Sequence, residues 1–312
     1  MTQASLDTRA GRAPAPGMLP RLFTNPWRKP RFLALFSWLF ILWAVLPVAI
    51  AVLFSFNAGR SRSTWQGFSF RWYITDPDLS VLHDPILQHA VLQSVKLAAL
   101  TMLVATPLGI AMALGLARWR GRVSTGANFL MLLPLVTPEI VLASGLFLVF
   151  VHLYKLGDTT LFGTPAQLFG HVTWSIPYVV VILRGRLFGM GKEHEEAAMD
   201  LGASPMGAMF RVLLPMLGPA IFAAFMIVFA LSIDDFITSQ FLSSGESSIT
   251  IPMLIYGTGR TGETPSMNAV ATVMLVLSLT ALVLAGLVLR AVARRRGATG
   301  TTSTQELVRF EI

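Results

Sequence analysis

No cysteine occurs anywhere in the 312 residues, which excludes disulfides, a thiol nucleophile and thiolate-bound metal. The absence does not identify a compartment. Charge is scarce too: Asp, Glu, Lys and Arg make up 13% of the chain, about half of the ~25% usual for soluble domains. The five histidines are scattered without ligand-like spacing, so no metal centre is expected from them. The long apolar segments lack strict alternation, which argues against a membrane β-barrel built from ~10-residue alternating strands.

Apolar surface is what the chain has in excess. It is 54% hydrophobic with a mean hydropathy of +0.65, and several runs reach the ~20 residues that a membrane-spanning helix needs. The expected fold class is an all-α polytopic membrane protein with about six transmembrane helices. The spans are expected at residues 32–56, 89–117, 127–151, 167–182, 218–242 and 267–289. The first run is too long for the ~7–15-residue core of a cleaved signal peptide and should remain as a span. The fourth is the weakest signal, because His171 and Pro177 interrupt it and Arg184 follows closely. Residues 1–31, rich in Pro, Ala and Arg, read as a cytoplasmic tail. Residues 57–88 read as an extracytoplasmic loop, 89–290 as the main transmembrane domain and 291–312 as a second cytoplasmic tail.

The formal net charge of +8 does not point to nucleic acid. Eighteen Lys and Arg residues fall on one face of the six-span arrangement and five on the other, the asymmetry of the positive-inside rule. Both termini are therefore expected in the cytoplasm. Lys96 lies within the second span, where its stem can snorkel to the interface. Farther along, Ala105, Gly109, Ala113 and Ala117 recur every four residues. Such a small-residue face allows close helix approach, within the chain or with a partner.

Enzyme chemistry is not visible. The stretch beginning at His194 opens like H-E-x-x-H, but Ala198 stands where the second zinc ligand belongs. Gly189–Lys192 has the flavour of a phosphate-binding loop, but Arg186 replaces its first glycine and Glu193 follows the lysine. Adjacent Asp234 and Asp235 would point about 100° apart on a helix, unlike two facing protease carboxylates.

One polar insert interrupts the greasy second half. Residues 193–217 open with "EHEEAAMDL", good helix formers with acids in the first turns. Gly202 should end that helix, and Ser204 followed by Pro205 should cap a second one. Pro215 marks the approach to the fifth span. A connector needs only a few residues, so two capped helices read better as a docking surface for a soluble partner.

The segment "EAAMDLGASPMGAMFRVLLP" resembles the EAA signature of ABC-importer permeases. Glu196, Ala197, Ala198, Gly202, Leu214 and Pro215 fall in register, and Val212 replaces the usual Ile. "PLVTPEIVLASGL", "SIDDFITSQFL" and "NAVATVMLVLSL" extend the likeness toward the PotC-type permease subunits of spermidine/putrescine importers. The resemblance implies a type I ABC-importer transmembrane domain in a bacterial inner membrane. The insert would be a coupling element: Glu196 would make a polar contact, Ala197 and Ala198 would allow close packing, and Gly202 would form the turn. It also implies a non-catalytic subunit without a cofactor of its own, with ATP bound by a dimer of partner ATPase chains. A second permease and an extracytoplasmic solute-binding protein would complete the assembly. The solute stays open between polyamines and another amine, an opine or an aminophosphonate. A self-powered secondary transporter is the reading outside this class.

Glu139, Asp234 and Asp235 are acids at membrane depth, each costing about 2.5–3.5 kcal/mol on insertion scales. On the expected spans, Glu139 lies roughly 16 Å along the third helix and Asp234 roughly 24 Å along the fifth. Two readings remain for them. The Asp pair can hydrate at a helix end while Glu139 bonds to backbone freed by Pro138, or all three can attract and pass a cationic solute.

Overall fold

A computed structural model describes residues 31–61, 63–118, 121–155, 162–261 and 265–297. The expected tails therefore lie outside the described residues, except Arg31 and residues 291–297, which are helical. Of the Lys and Arg residues between the expected spans, Arg62 and Arg120 also lie outside them. The chain divides into two units, Met1–Ile50 and Ala51–Ile312.

Helix α1 (Arg31–Phe54) is apolar on every face. All its side chains from 32 to 50 are exposed, the profile of a span that meets lipid or another protein rather than water. Pro47 sits inside it without ending it.

The second unit begins with a small aromatic cap that hydropathy did not reveal. Asn57 pairs with Phe68 in an isolated bridge, and its side chain donates to the Ser61 and Thr64 carbonyls while accepting from the Gln66 amide. A π-helical turn, Arg71–Thr75, buries Trp72 completely, and the indole N–H donates to the Asn57 carbonyl at 2.6 Å. Burial alone would raise the pKa of Asp76. The amides of Leu79 and Asp78 and the Arg71 guanidinium outweigh it and hold the carboxyl below its ordinary value.

Three long helices form the core: α2 (Pro85–Arg118), α5 (Thr164–Met190) and α7 (Pro205–Ile233). The small-residue face of α2 makes its close contact inside the chain. Ala105 and Ala113 are fully buried against Val179, Val180, Ala224 and Val228. A Cβ on Gly109 would meet Val179 Cβ at 2.5 Å, closer than real carbons approach. Lys96 is exposed, as snorkelling requires.

Several expected boundaries are corrected. The third span is not one helix: α3 (Arg122–Val136) and α4 (Glu139–Lys155) meet at a 107° bend. Pro138 disfavours helical backbone at Thr137, which is extended and closes α3 by donating its N–H and Oγ1–H to the Leu133 carbonyl. Glu139 therefore begins a helix and does not lie midway along one. The weak fourth signal is instead an unbroken α5, the most thoroughly buried of the long helices. Its Pro177 is tolerated inside the packed bundle.

The expected fifth span runs too far at its C-terminal end and starts too late. Helix α7 ends at Ile233, Asp234 through Phe236 form a corner, and a short α8 (Ile237–Phe241) follows. An additional helix, α9 (Ile251–Thr261), lies between the expected fifth and sixth spans; its first amide is capped by Ser94 Oγ at 2.8 Å. Helix α10 (Pro265–Gly297) supplies the last span. In all, five described helices are long and apolar enough to cross a membrane, and six segments are if α3 and α4 count as one bent span.

Candidate functional site

The two groups of residues singled out from sequence lie at opposite ends of α7. At its C-terminal end, Glu139, Asp234 and Asp235 line one cavity of about 410 Å³. The bend between α3 and α4 brings Glu139 in, and the corner after Ile233 brings in the two aspartates. Helix α5 supplies the facing wall through Trp174 and Tyr178, whose rings meet edge to face at 6.2 Å. The Trp174 Nε1 is buried without a hydrogen-bond acceptor among the described residues.

The three acids are not equivalent. Glu139 and Asp234 are exposed to the cavity, whereas Asp235 is buried and tied to the protein. Its Oδ2 accepts from the Ser239 amide at 2.8 Å and from Ser239 Oγ at 3.0 Å. His171 Nε2 lies 3.1 Å from the same oxygen. The Glu139 carboxyl also reaches Asp235 directly. Behind this group, Gln167 Nε2 donates to the Ser239 and Ser248 carbonyls, and Gln93 Nε2 reaches Thr164 Oγ1. Buried polar groups need such partners, and here they staple α2, α5 and the α7–α8 corner together.

Chemically, the cavity joins acceptor oxygens to aromatic faces. Carboxylates and ring faces both attract cations, the rings most effectively when water is excluded. The sequence reading missed His171, Trp174 and Tyr178. Their spacing of three and four residues was the available signal, since it puts one imidazole and two rings on a single side of a helix.

At the N-terminal end of α7 the polar insert is built as expected, with one correction. Helix α6 (Glu193–Asp200) carries Glu196, Ala197 and Ala198. The Gly202 amide donates to the Met199 carbonyl at 2.9 Å and the Ala203 amide to the Ala198 carbonyl at 3.0 Å, the paired bonds of a Schellman stop. Gly202 has φ +87°, the left-handed backbone that glycine adopts without strain. Ser204 then accepts the Gly207 amide at 3.1 Å and Pro205 opens the next helix.

That second helix is not a separate element. It continues as α7 through a π-helical turn, Met209–Leu213. Pro215 lacks an N–H for the Arg211 carbonyl, and the wider turn just before it accommodates the ring. Val212, Leu214 and Pro215 are thus half-buried inside α7, not at an approach to it. The exposed part of the insert is Glu196, Ala197 and Gly202 with the apolar Met199, Leu201, Met206 and Phe210. Leu201 is 90% exposed. No side chain of α6 is buried. Apolar residues clustered on an otherwise polar element mark an interaction surface.

Residues 105–297 match the family described as binding-protein-dependent transport system inner membrane component. The chain is 36% identical to the putrescine transport system permease protein PotI of Escherichia coli K12, over 80% of this chain and 86% of that one. It is 35% identical to the spermidine/putrescine transport system permease protein PotC of Haemophilus influenzae, over 83% and 98% of the two chains. Its fold is also that of a chain in the crystal structure of a bacterial alginate ABC transporter in complex with an alginate pentasaccharide-bound periplasmic protein. There the TM-score is 0.66 at 18% identity, over 84% of this chain and 96% of that one. With a family match across more than half its length and long relatives above 30% identity, the chain belongs to the inner-membrane permease components of binding-protein-dependent ABC transport systems.

Proposed function

We propose that this chain is a permease subunit of an ATP-driven importer for polyamines or a closely related small organic cation. The observation that carries the substrate class is the cavity in which Glu139, Asp234 and Asp235 face Trp174 and Tyr178. A flexible polyamine has ammonium groups for the carboxylates and methylene segments for the rings. The putrescine and spermidine systems named for its relatives support the same class.

In this reading the exposed face of α6 and the turn at Gly202 dock on a partner ATPase dimer, which binds the ATP that this chain has no loop to hold. Solute arrives from an extracytoplasmic binding protein and passes along a path shared with a second permease. The termini and the α6 end of α7 lie on the cytoplasmic side, in accord with the Lys and Arg asymmetry. The cavity end of α7 lies roughly 40 Å away along the helix, so one continuous helix joins the docking element to the solute path.

The test is uptake of labelled putrescine and spermidine by the assembled complex. Replacing Glu139 with Gln and both aspartates with Asn should lower uptake about tenfold or more, the scale of lost charge-assisted contacts. Normal uptake at normal complex abundance overturns the role of the cavity. Co-purification without any nucleotide-binding chain overturns the importer reading.

A further inference from the structure

His171 is the one histidine placed in the middle of a packed span, and it is fully buried. A buried imidazole is costly unless its nitrogens are satisfied, and both of these are. Nδ1 lies 2.7 Å from Ser232 Oγ, in the last turns of α7. Nε2 lies 3.0 Å from Ser239 Oγ, in α8, and 3.1 Å from Asp235 Oδ2. A carboxylate only accepts, so Nε2–H and the Ser239 hydroxyl both donate toward Asp235, while Nδ1 shares a hydrogen bond with the Ser232 hydroxyl.

The consequence lies in which oxygen is held. The contacts from His171, the Ser239 amide and the Ser239 hydroxyl all converge on Oδ2 of Asp235. The rest of the Asp235 carboxyl group borders the cavity, where Glu139 reaches it. The imidazole also bridges both sides of the corner that carries Asp234 and Asp235, from Ser232 before it to Ser239 after it. A helix end with two adjacent acids would otherwise be free to turn either carboxyl inward.

We propose that His171 is a positioning residue for solute passage: it fixes the rotamer of Asp235 and the α7–α8 corner, and so holds the acidic group of Asp235, Glu139 and Asp234 in place along the cavity that the cationic solute passes. This rests on the reading of the cavity as part of the solute path. Other groups divide the work with it, since Glu139 and Asp234 meet the cavity directly and His171 acts only through Asp235.

The two ends of the imidazole can be separated by substitution. A Gln side chain places its amide nitrogen near the position of Nε2, and an Asn side chain places its own near Nδ1. Uptake per ATP hydrolysed is measured on the full complex with loaded binding protein, together with complex abundance. His171→Gln should stay within about twofold of the natural protein. His171→Asn and His171→Leu should fall about tenfold at unchanged abundance, the size of effect seen when an orienting partner is removed from a functional side chain.

If Asn performs as well as Gln, or Leu as well as His, the proposal is overturned. It is also overturned if Gln and Asn both fail to accumulate, since His171 is then only a packing anchor. Asp235→Asn, run in parallel, separates the two layers. Normal uptake in that variant removes the solute-path reading itself, whereas impaired uptake there beside an unaffected His171 series removes only the role of His171.

Discussion

The two ends of α7 solve opposite problems with the same residue types. At the N-terminal end, Gly202 is conformational: its φ is +87° and no neighbouring atom lies within 4 Å of where a Cβ would go. At the cavity end, Gly170 of α5 is spatial, because its Cβ would meet Leu242 Cδ1 at 2.6 Å and Thr238 Cγ2 at 2.7 Å. The acids divide in the same way. Glu196 sits on an exposed helix, whereas Asp235 is enclosed and hydrogen-bonded. At one end the glycine and the acid are exposed, and at the other Gly170 and Asp235 are enclosed by the chain itself.

The sharpest way to break this comparison is to exchange what each glycine lacks. Gly170→Leu should cost several kcal/mol through overpacking of α5 against α8 and remove most of the protein from the membrane, read by immunoblot of membrane fractions. Gly202→Val should leave accumulation intact, because only about 1–2 kcal/mol of backbone strain is added at an exposed turn. Stimulated ATPase activity and uptake should collapse together. Gly202→Asn should retain most activity, since Asn tolerates the left-handed backbone. Normal transport by the valine variant removes the coupling role of the turn.

A smaller effect is expected on the exposed apolar face. Leu201→Asp and Met206→Asp each remove an anchor worth about 1.5–3 kcal/mol when buried. They should weaken retention of the ATPase chains in pull-downs roughly tenfold while leaving the thermal stability of the permease unchanged. Equal retention would mean that the partner sits elsewhere.

The smallest effect should come from Asp76, away from both ends. Its folded pKa is depressed, so its stabilisation is fully present above the unfolded value of about 4 and is lost as pH falls through the folded one. Asp76→Asn should therefore lower the melting temperature by a few degrees at neutral pH. The gap should close in acid. A gap independent of pH would show that the Arg71 and amide contacts do not depend on the charge.

The legible and illegible parts separate along the same helix. The N-terminal end could be read residue by residue, because its signals are local: acids in a first turn, Gly202 at a helix stop, Ser204 and Pro205 at a start. The cavity end was legible only as three acids out of place. Their convergence needed the 107° bend at Thr137–Pro138 and the corner at Asp234, and hydropathy windows average across both. Trp174 and Tyr178 were hidden because aromatic residues at helical spacing also pack ordinary cores.

Sequence by itself determined that the chain crosses a membrane as helices, which asymmetry of charge its loops carry, and where a polar helix ends at Gly202 and the next begins at Ser204 and Pro205. Hydropathy, charge counts and capping depend only on residues contiguous in the chain, so they survive in one dimension. Only the tertiary structure decided that Gly109 packs against Val179, that three spans share one cavity, and that His171 holds one oxygen of Asp235. Those facts depend on contacts between residues tens of positions apart, where distance along the chain carries no information about distance in space.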